Sequence, residues 1–320
     1  MRLIEPELGR VDEVLRTELS SRVRTMFAVS THILDAGGKR LRPSLVLLSA
    51  RACQADYDVG RAVNVAAAVE LIHMATLVHD DVIDGAESRR GQVTANSFWG
   101  NQISVLSGDY MLAKAFSLLA GEADVRIMQA LSRATIAMTE GEIAQIESRG
   151  DTRALTSSYL SVICDKTAEF MSACCRIGGI LAAGSSSAEE ALARYGLNLG
   201  VAFQITDDLL DLVGDPAETG KPIGSDIREG KLTMPIILAL AKAGPADRAV
   251  LEDVIQSEHV TSADLAFVKK LVEDTGAVEG TREAAAGYVE QAVEHLQDLP
   301  ASEARDSLEE LAHHILGRRK

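Results

Sequence analysis

The chain has 320 residues, of which 47% are apolar and 25% are charged, a composition that excludes a disordered chain, a collagen and a small disulfide scaffold. Lys and Arg number 32 against 47 Asp and Glu, and the resulting formal charge of -15 argues against a protein that coats nucleic acid or anionic lipid by charge. Any phosphate-bearing partner must therefore be held by a local group of cations.

Helical periodicity runs through the whole sequence. Apolar residues recur at helical spacing over segments 8–34, 43–53, 62–84, 102–119, 123–149, 157–183, 188–213 and 232–243, and then onward to the C-terminus. Gly, Ser and Pro residues predict breaks at 37–38, 91, 121, 150, 184–187, 214–230, 243–245 and 300. β-branched runs are short, and no Asn-Gly or Asp-Gly hairpin separates alternating apolar segments. The pattern predicts an all-α bundle, and because no long linker interrupts it, residues 1–320 are predicted to form one domain.

The cysteines and the apolar segments indicate a cytoplasmic protein. Cys53, Cys164, Cys174 and Cys175 form no CxxC pair and have no histidine at ligand spacing, so we expect reduced core thiols and no zinc site. The N-terminus lacks the basic start and apolar stretch of a signal peptide. Apolar segments such as 45–50 and 177–183 are broken well short of the about 20 residues that a membrane helix needs, so no stable membrane insertion is expected.

One acidic pattern occurs twice, as LVHDDVID and as FQITDDLLD. Asp80 and Asp84 are four residues apart, as are Asp207 and Asp211, so each pair projects from one helix face. Unpaired carboxylates in apolar segments are costly to bury, and oxygen ligands at this density favour Mg²⁺ shared with substrate phosphates. A solvated helix end is the alternative for either copy alone. An EF-hand is disfavoured because neither copy continues with the spacing of that loop.

Basic residues gather beside both acidic clusters. The first group lies on a glycine-flanked turn before a helix, a geometry that favours an anion, and the arginines after the first cluster suit a bidentate grip on phosphate. In chain order the cations are Lys39, Arg40, Arg42, Arg89, Arg90, Lys221 and Lys231. A diphosphate held partly through Mg²⁺ and partly through Lys and Arg accounts for both the carboxylates and the cations.

These motifs, in this order, resemble the trans-isoprenyl diphosphate synthase (polyprenyl synthetase) family. The resemblance covers nearly the whole chain and is carried by GGKRLRP, LVHDDVID, RRG, GDY, GEIAQ, the Lys166-Thr167 pair, FQITDDLLD and GKPIGSDIREGK. It implies the isoprenoid synthase fold, a helical bundle around a deep apolar cavity. It also implies a homodimer, with the two aspartate-rich motifs facing each other across the cavity mouth.

The resemblance further implies residue roles. The implied Mg²⁺ ligands are Asp80, Asp84 and Asp207. The implied catalytic residues are these three with Asp81, Asp208, Asp211, Lys166 and Lys221. The residues implied to hold the allylic diphosphate are Arg89, Lys166, Thr167, Gln204, Lys221 and Lys231. Those implied to hold isopentenyl diphosphate are Lys39, Arg42, His73 and Arg90, although His73 taken alone would be interpreted as a core histidine. One departure is Val93, where the family usually has Pro.

The implied reaction is the head-to-tail condensation of isopentenyl diphosphate with an allylic diphosphate. Mg²⁺, with two or three ions expected when substrate is bound, and cationic side chains stabilise the departing diphosphate as the allylic C–O bond ionises. The alkene of isopentenyl diphosphate attacks the allylic cation, and the released diphosphate takes up the proton that is lost. No Ser/His/Asp triad or nucleophilic cysteine is needed.

Product length depends on where a bulky side chain blocks the growing tail. Ala75 and Thr76 are small at positions where short-chain members of the family often have aromatic residues, and DDVID lacks the two-residue insertion of many bacterial geranylgeranyl-type enzymes. This favours an all-trans product of roughly C30 to C50, as used for quinone side chains, because a small side chain leaves room that a large one would fill. So apolar a product implies transient membrane contact at release.

Three alternatives remain open at this point. A short-chain geranylgeranyl or farnesyl diphosphate synthase follows if the cavity floor is set from another helix, near Ser107, Tyr110 or Met138. A class I terpene cyclase is disfavoured by the intact second aspartate motif and by GGKRLRP. A non-catalytic subunit of a heteromeric synthase is disfavoured because both aspartate clusters are complete.

Overall fold

The computed structural model describes residues 2–54, 56–89, 91–153, 155–214, 223–257 and 259–317. It is 79% helical with 1% strand, which confirms the predicted all-α class. The residues form two compact units, each described here by itself. Unit 1 comprises Met1–Ser132, Ala173–Ala193 and Asp298–Leu308, and unit 2 comprises Arg133–Ser172, Arg194–Gln297 and Glu309–Lys320. The expectation of one domain stays a prediction.

The first part of the chain consists of helices and one very short hairpin. After a 3₁₀ turn at Arg2–Ile4, the helices are α1 Glu5–Glu18, α2 Arg24–Asp35, α3 Leu41–Cys53, α4 Val59–Ile83, α5 Ala95–Trp99 and α6 Asn101–Leu119. Between α4 and α5, strands β1 Ser88–Arg89 and β2 Gln92–Val93 pair antiparallel.

The later part of the chain continues in helices. In chain order they are α7 Val125–Glu147, α8 Thr156–Ile163, a π-helical turn at Cys164–Ala168, α9 Glu169–Leu181, α10 Ser186–Val213, α11 Ser225–Arg228, α12 Met234–Lys242, α13 Pro245–Gln256, α14 Ser262–Asp274, α15 Ala277–Leu296 and α16 Glu303–Leu316.

Helix α4 forms the centre of unit 1, where it packs against α1, α3 and α6. Buried side chains occur all round it, as expected for a helix in the interior. Its length and composition would also allow it to cross a membrane, which the sequence-based reading of broken apolar segments missed. However, 72% of its most apolar window is buried inside the protein, as in the core helix of a globular unit.

The core of unit 2 is built where α10 to α15 meet. Its central apolar side chains come from the end of α10 and from α12, α13, α14 and α15, with Leu212, Ile236, Leu251, Val268 and Ala277 among them. A second cluster joins α8, α10 and α12 through Ile163, Ile205 and Met234. The C-terminal half of α10, which carries the second aspartate motif, is therefore fixed by apolar packing.

Several element boundaries differ from the sequence prediction for local reasons. The single helix predicted over 8–34 is two helices, because Ser20 Oγ donates to the Thr17 carbonyl and Ser21 Oγ accepts from the Val23 N–H, which offers the backbone a turn. The hairpin was missed because Gly91, at a φ of 75°, supplies the left-handed turn residue without an Asn-Gly or Asp-Gly pair.

The four cysteines are free thiols, as predicted. Cys174 and Cys175 are fully buried in the core, and Cys53 and Cys164 are half-buried. Burial raises the pKa of Cys53 and Cys164 to about 11, so all four are inert packing residues at neutral pH.

Candidate active site

The first aspartate motif lies at the C-terminal end of α4. Asp80 and Asp84 are half-buried, and the Asp84 N–H donates to the Asp80 carbonyl at 2.8 Å, so helical geometry keeps the two residues on one face. Asp81 is 7% exposed and accepts from Arg89 Nε of β1 at 2.7 Å. Asp80 and Asp84 thus form a half-buried pair, whereas Asp81 is buried and anchors the hairpin through Arg89.

The second motif, on α10, is divided in a similar way. Asp207 and Asp211 are half-buried, whereas Asp208 is 6% exposed and accepts from Tyr159 Oη at 2.5 Å and from Gln204 Nε2 at 2.8 Å. Burial raises the pKa of Asp208 to about 7, against the lowering effect of these two hydrogen bonds. Asp208 is therefore held in place by two side-chain donors.

The Asp211 carboxylate also accepts hydrogen bonds from the backbone. Its two carboxylate oxygens each lie 3.2 Å from a backbone nitrogen at the start of α11, those of Ser225 and Asp226, and accept from them. The Asp226 side chain is half-buried, and desolvation, together with the charges of Asp211 and Asp208, raises its pKa well above the usual value. Asp211 thus joins the end of α10 to the start of α11.

The basic turn before α3 is anchored by Arg40, which the sequence indicated only as one of a group of cations. Arg40 adopts a φ of 48° as the N-cap of α3, and its guanidinium donates to Asp12 at 2.8 Å and to Glu70 of α4 at 3.0 Å. Lys39 beside it is exposed. No local pattern could have identified this anchoring role of Arg40, because its partners lie about 30 residues away on either side in the chain.

Two residues predicted to hold isopentenyl diphosphate meet in unit 1. Arg42 Nη1 donates to His73 Nε2 at 3.0 Å, which makes the imidazole nitrogen the acceptor and the ring neutral. A cavity of about 50 Å³ beside them is lined by Arg40, His73, Asp81 and Arg89 among others. Arg89, which was predicted to hold the allylic diphosphate, thus lines the same cavity as His73, which was predicted to hold isopentenyl diphosphate. Arg90, also predicted here, lies outside the described residues.

The Lys166-Thr167 pair lies on the π-helical turn in unit 2. Lys166 Nζ donates to Gln145 Oε1 at 2.8 Å and forms an ion pair with Glu142, while Thr167 Oγ1 donates to Gln204 Oε1 at 2.9 Å. The wider π turn, a feature that is frequent at functional sites, lets consecutive residues contact α7 and α10.

Two glycines make room for the π turn. A Cβ on Gly141 of α7 would lie 2.8 Å from the Lys166 nitrogen, and a Cβ on Gly200 of α10 would lie 2.5 Å from the Ala168 Cα. Both neighbours are backbone atoms, so neither contact could be relieved by a side-chain rotation. Glycine at these two positions is needed because α7 and α10 each pack closely against the π turn.

A cavity of about 540 Å³ in unit 2 collects the predicted allylic-diphosphate residues that the structure describes there. Lys166, Thr167, Gln204 and Lys231 line it, together with Asp208. Lys231 also forms an ion pair with Glu229. Lys221, predicted for the same role, lies outside the described residues. Tyr159 also lines this cavity, and sequence reasoning missed it because a single tyrosine on a helix gives no signal.

The donor set fits a divalent cation that shares its ligands with a substrate. Among the described residues, no group of three or more His, Cys, Asp or Glu side chains is close enough to form a metal site alone. Mg²⁺ does not need one, because it binds proteins through one or two carboxylates and takes phosphate oxygens and water for the rest. The half-buried Asp80 and Asp84 on one helix face meet that requirement.

The two residues predicted to affect product length lie within α4. Ala75 is fully buried, and Thr76 is half-buried with its hydroxyl donating to the His73 carbonyl at 2.8 Å. A larger side chain at position 75 would have to displace atoms of the unit 1 core or enter space left free beside α4.

The chain is similar to known proteins over most of its length. The polyprenyl synthetase family matches residues 23–273. The heptaprenyl diphosphate synthase component 2 of Geobacillus stearothermophilus is 36% identical over 312 residues, which cover 98% of this chain and 96% of that protein.

Two solved structures are also similar over the full chain. A polyprenyl synthase from Caulobacter crescentus CB15, in complex with calcium and isoprenyl diphosphate, is 40% identical, with a TM-score of 0.96 and coverage of 100% of this chain and 97% of that one. A decaprenyl diphosphate synthase from Rhodobacter capsulatus is 40% identical, with a TM-score of 0.93 and coverage of 100% and 98%.

Proposed function

The chain belongs to the polyprenyl synthetase family and is a prenyltransferase, and from this premise we propose its substrates, metal and product. It condenses isopentenyl diphosphate with an allylic diphosphate, head to tail, in a Mg²⁺-dependent reaction. The product is an all-trans polyprenyl diphosphate of C30 to C50 for quinone side chains.

One observation carries the proposal. In each unit the central aspartate of the motif lines a cavity together with cations: Asp81 with Arg40 and Arg89 in unit 1, and Asp208 with Lys166 and Lys231 in unit 2. The half-buried Asp80 and Asp207 immediately precede those aspartates. Carboxylates for a metal and cations for a diphosphate are thus adjacent in both units, which supports a diphosphate substrate over a solvated acidic surface.

The side chains divide the work of binding. Asp80, Asp84 and Asp207 would hold Mg²⁺, which when bound supplies Lewis-acid stabilisation of the leaving diphosphate. Lys166 and Lys231 add positive charge beside the allylic diphosphate.

Isopentenyl diphosphate is positioned by a different set of side chains. Lys39 and Arg42 bind its diphosphate in a position set by the Arg42–His73 contact. The anchor of Arg40 fixes the turn that carries Lys39 and Arg42, and the π turn fixes Lys166. Both sets of cations are thus in place before substrate arrives, which is the condition for electrostatic catalysis.

The proposed product length rests on α4 and on the relatives. The similar proteins named above include a heptaprenyl and a decaprenyl diphosphate synthase, which supports a product longer than C20. Ala75 contributes because its side chain is too small to block a growing tail. If this is correct, Ala75→Phe shortens the product, and Gly9→Ala, on an open face of α1, leaves it unchanged.

We also propose that the active form is a cytoplasmic homodimer that contacts a membrane transiently to release its product. The Geobacillus relative is described as one component of its synthase. Complete aspartate motifs and cation-lined cavities support activity of this chain without an unlike subunit. Turnover by the purified chain alone is the corresponding test.

The experiment that tests the function is product sizing. The purified chain is incubated with Mg²⁺, labelled isopentenyl diphosphate and, separately, C5, C10, C15 and C20 allylic diphosphates, and the products are measured by mass spectrometry. The proposal predicts a ladder that ends near one length between C30 and C50. Products that stop at C15 or C20 would contradict the proposed length, and no elongation from any starter would contradict the function.

A further inference from the structure

Helix α6 has a glycine at the point where a histidine ring from α4 lies on it. A Cβ on Gly108 would be 2.2 Å from His79 Nε2 and 2.6 Å from its Cδ2, so no residue with a side chain fits while the ring is in place. At Gly141 and Gly200 the nearest atom to an added Cβ belongs to the backbone, whereas at Gly108 the three nearest atoms all belong to the His79 side chain, which an added methyl would displace.

The seated ring is also held by hydrogen bonding. His79 Nε2 lies 3.2 Å from the Val105 carbonyl oxygen, which can only accept, so this nitrogen carries the proton. Asp109 Oδ1 is 3.5 Å from the same nitrogen. Gly108 and Asp109 of the GDY segment, to which the proposed reaction gives no role, thus form a seat for His79.

His79 lies on the same turn of α4 as the first aspartate motif, so its contact with α6 affects how that motif is oriented. At about 100° per residue, Asp80 and Asp84 lie about 100° and 140° around the helix from His79, and Asp81 lies about 200° around. Asp81 is fixed by Arg89 and His79 is fixed by α6, so the face that carries Asp80 and Asp84 is held on both sides.

We propose that His79, seated on Gly108, is a positioning residue that sets the rotation of the last turn of α4 and so aims the Asp80 and Asp84 carboxylates for Mg²⁺. The inference rests on the proposed Mg²⁺-dependent transfer. Polar groups that orient metal ligands without touching the metal commonly control its affinity. The three atoms nearest to an added Cβ on Gly108 all belong to the His79 ring, so the glycine leaves the space that the ring occupies.

A double-mutant cycle tests this directly. The variants are Gly108→Ala, His79→Ala and their combination, with Gly9→Ala as a control, because a Cβ at Gly9 of helix α1 meets nothing within 4 Å. The measurements are the half-saturating Mg²⁺ concentration in prenyl transfer and the KM for isopentenyl diphosphate. A third measurement needs no turnover: the rise in unfolding temperature that Mg²⁺ plus inorganic pyrophosphate produces.

Each single variant is expected to raise the half-saturating Mg²⁺ concentration by about tenfold and to reduce the thermal shift. The KM for isopentenyl diphosphate should change less than about twofold, since the Arg42–His73 contact is untouched. The double variant should match His79→Ala alone, because the methyl then has no ring to displace. A merely structural role would lower stability without this selectivity for Mg²⁺.

Two results would overturn the inference: unchanged Mg²⁺ dependence in Gly108→Ala, or a double variant whose defect is the sum of both single ones. The second result would mean that the glycine acts through helix packing. A wild-type chain that transfers no prenyl group would instead contradict the proposed function. In that case the thermal shift with Mg²⁺ and pyrophosphate would still show whether the position of the His79 ring affects Mg²⁺ binding.

Discussion

Replacing Arg40 by Met should destabilise unit 1, because it leaves a buried carboxylate without its cation. The side chains of Arg40 and Glu70 are 13% and 6% exposed, whereas Asp12, the second partner of the arginine, is 48% exposed. Burial lowers the pKa of Arg40, but Glu70 and Asp12 more than offset that effect and the pKa is raised. The guanidinium is therefore charged, and Glu70 depends on it.

The magnitude follows from the burial of the two partners. Removing one member of a buried ion pair costs about 3 to 5 kcal/mol, while a half-exposed pair such as Arg40–Asp12 contributes only about 0 to 1 kcal/mol. Met retains a Cβ at the left-handed position, so the variant gains nothing from relief of backbone strain. At about 2.1 cal/mol/K per residue, a loss of about 4 kcal/mol lowers the unfolding temperature of this chain by about 6 °C.

Thermal unfolding followed by circular dichroism and by the fluorescence of Trp99, the single tryptophan, measures the effect. Asp12→Asn is the matched control and should shift the unfolding temperature by less than about 2 °C. Arg40→Met combined with Glu70→Met should recover most of the loss, because apolar side chains can replace a buried pair. The reasoning is refuted if Arg40→Met costs no more than Asp12→Asn.

Three further predictions concern unit 2 and the thiols. Gly200→Ala should lower kcat at least tenfold by shifting the π turn, whereas Gly287→Ala, which meets nothing within 4 Å, should not; steady-state kinetics of both variants decides this. Tyr159→Phe removes a donor from the buried Asp208 and should cost about 1 to 3 kcal/mol in denaturant unfolding; an unchanged midpoint would mean that the bond is not needed. Because burial raises the pKa of Cys53 to about 11, the native chain should alkylate slowly at pH 8 and rapidly once unfolded; fast native labelling, detected by mass spectrometry, would contradict that burial.

The sequence predicted the helical class and the main breaks because apolar periodicity and turn residues are local signals. It also predicted that Asp80 shares a helix face with Asp84, and Asp207 with Asp211, since helical spacing alone puts residues four apart on one face. These are features that a short window of sequence determines.

Features that depend on distant residues were not predicted. Arg40 is an anchor only because Asp12 and Glu70 approach it from elsewhere in the chain. Tyr159 is similar, because its partner Asp208 lies 49 residues further along the chain. The π turn was also missed, since its apolar pattern differs little from that of a continuous α-helix.

The family resemblance supplied what local chemistry could not. Gln204 and Thr167 carry no charge pattern, yet in the structure they bond to each other at 2.9 Å and line the cavity in unit 2. His73 is the same case in unit 1, where its contact with Arg42 distinguishes it from an isolated core histidine.

The most direct test of the central claim is the Mg²⁺-dependent rate of prenyl transfer by Asp80→Ala and Asp207→Ala, with the exposed Asp298→Ala as the control. The account predicts that both motif variants lose turnover by orders of magnitude while their circular dichroism and unfolding temperature stay close to those of the wild type, and that the control keeps full activity. Near-normal turnover in both motif variants would contradict the assignment of these carboxylates to the metal.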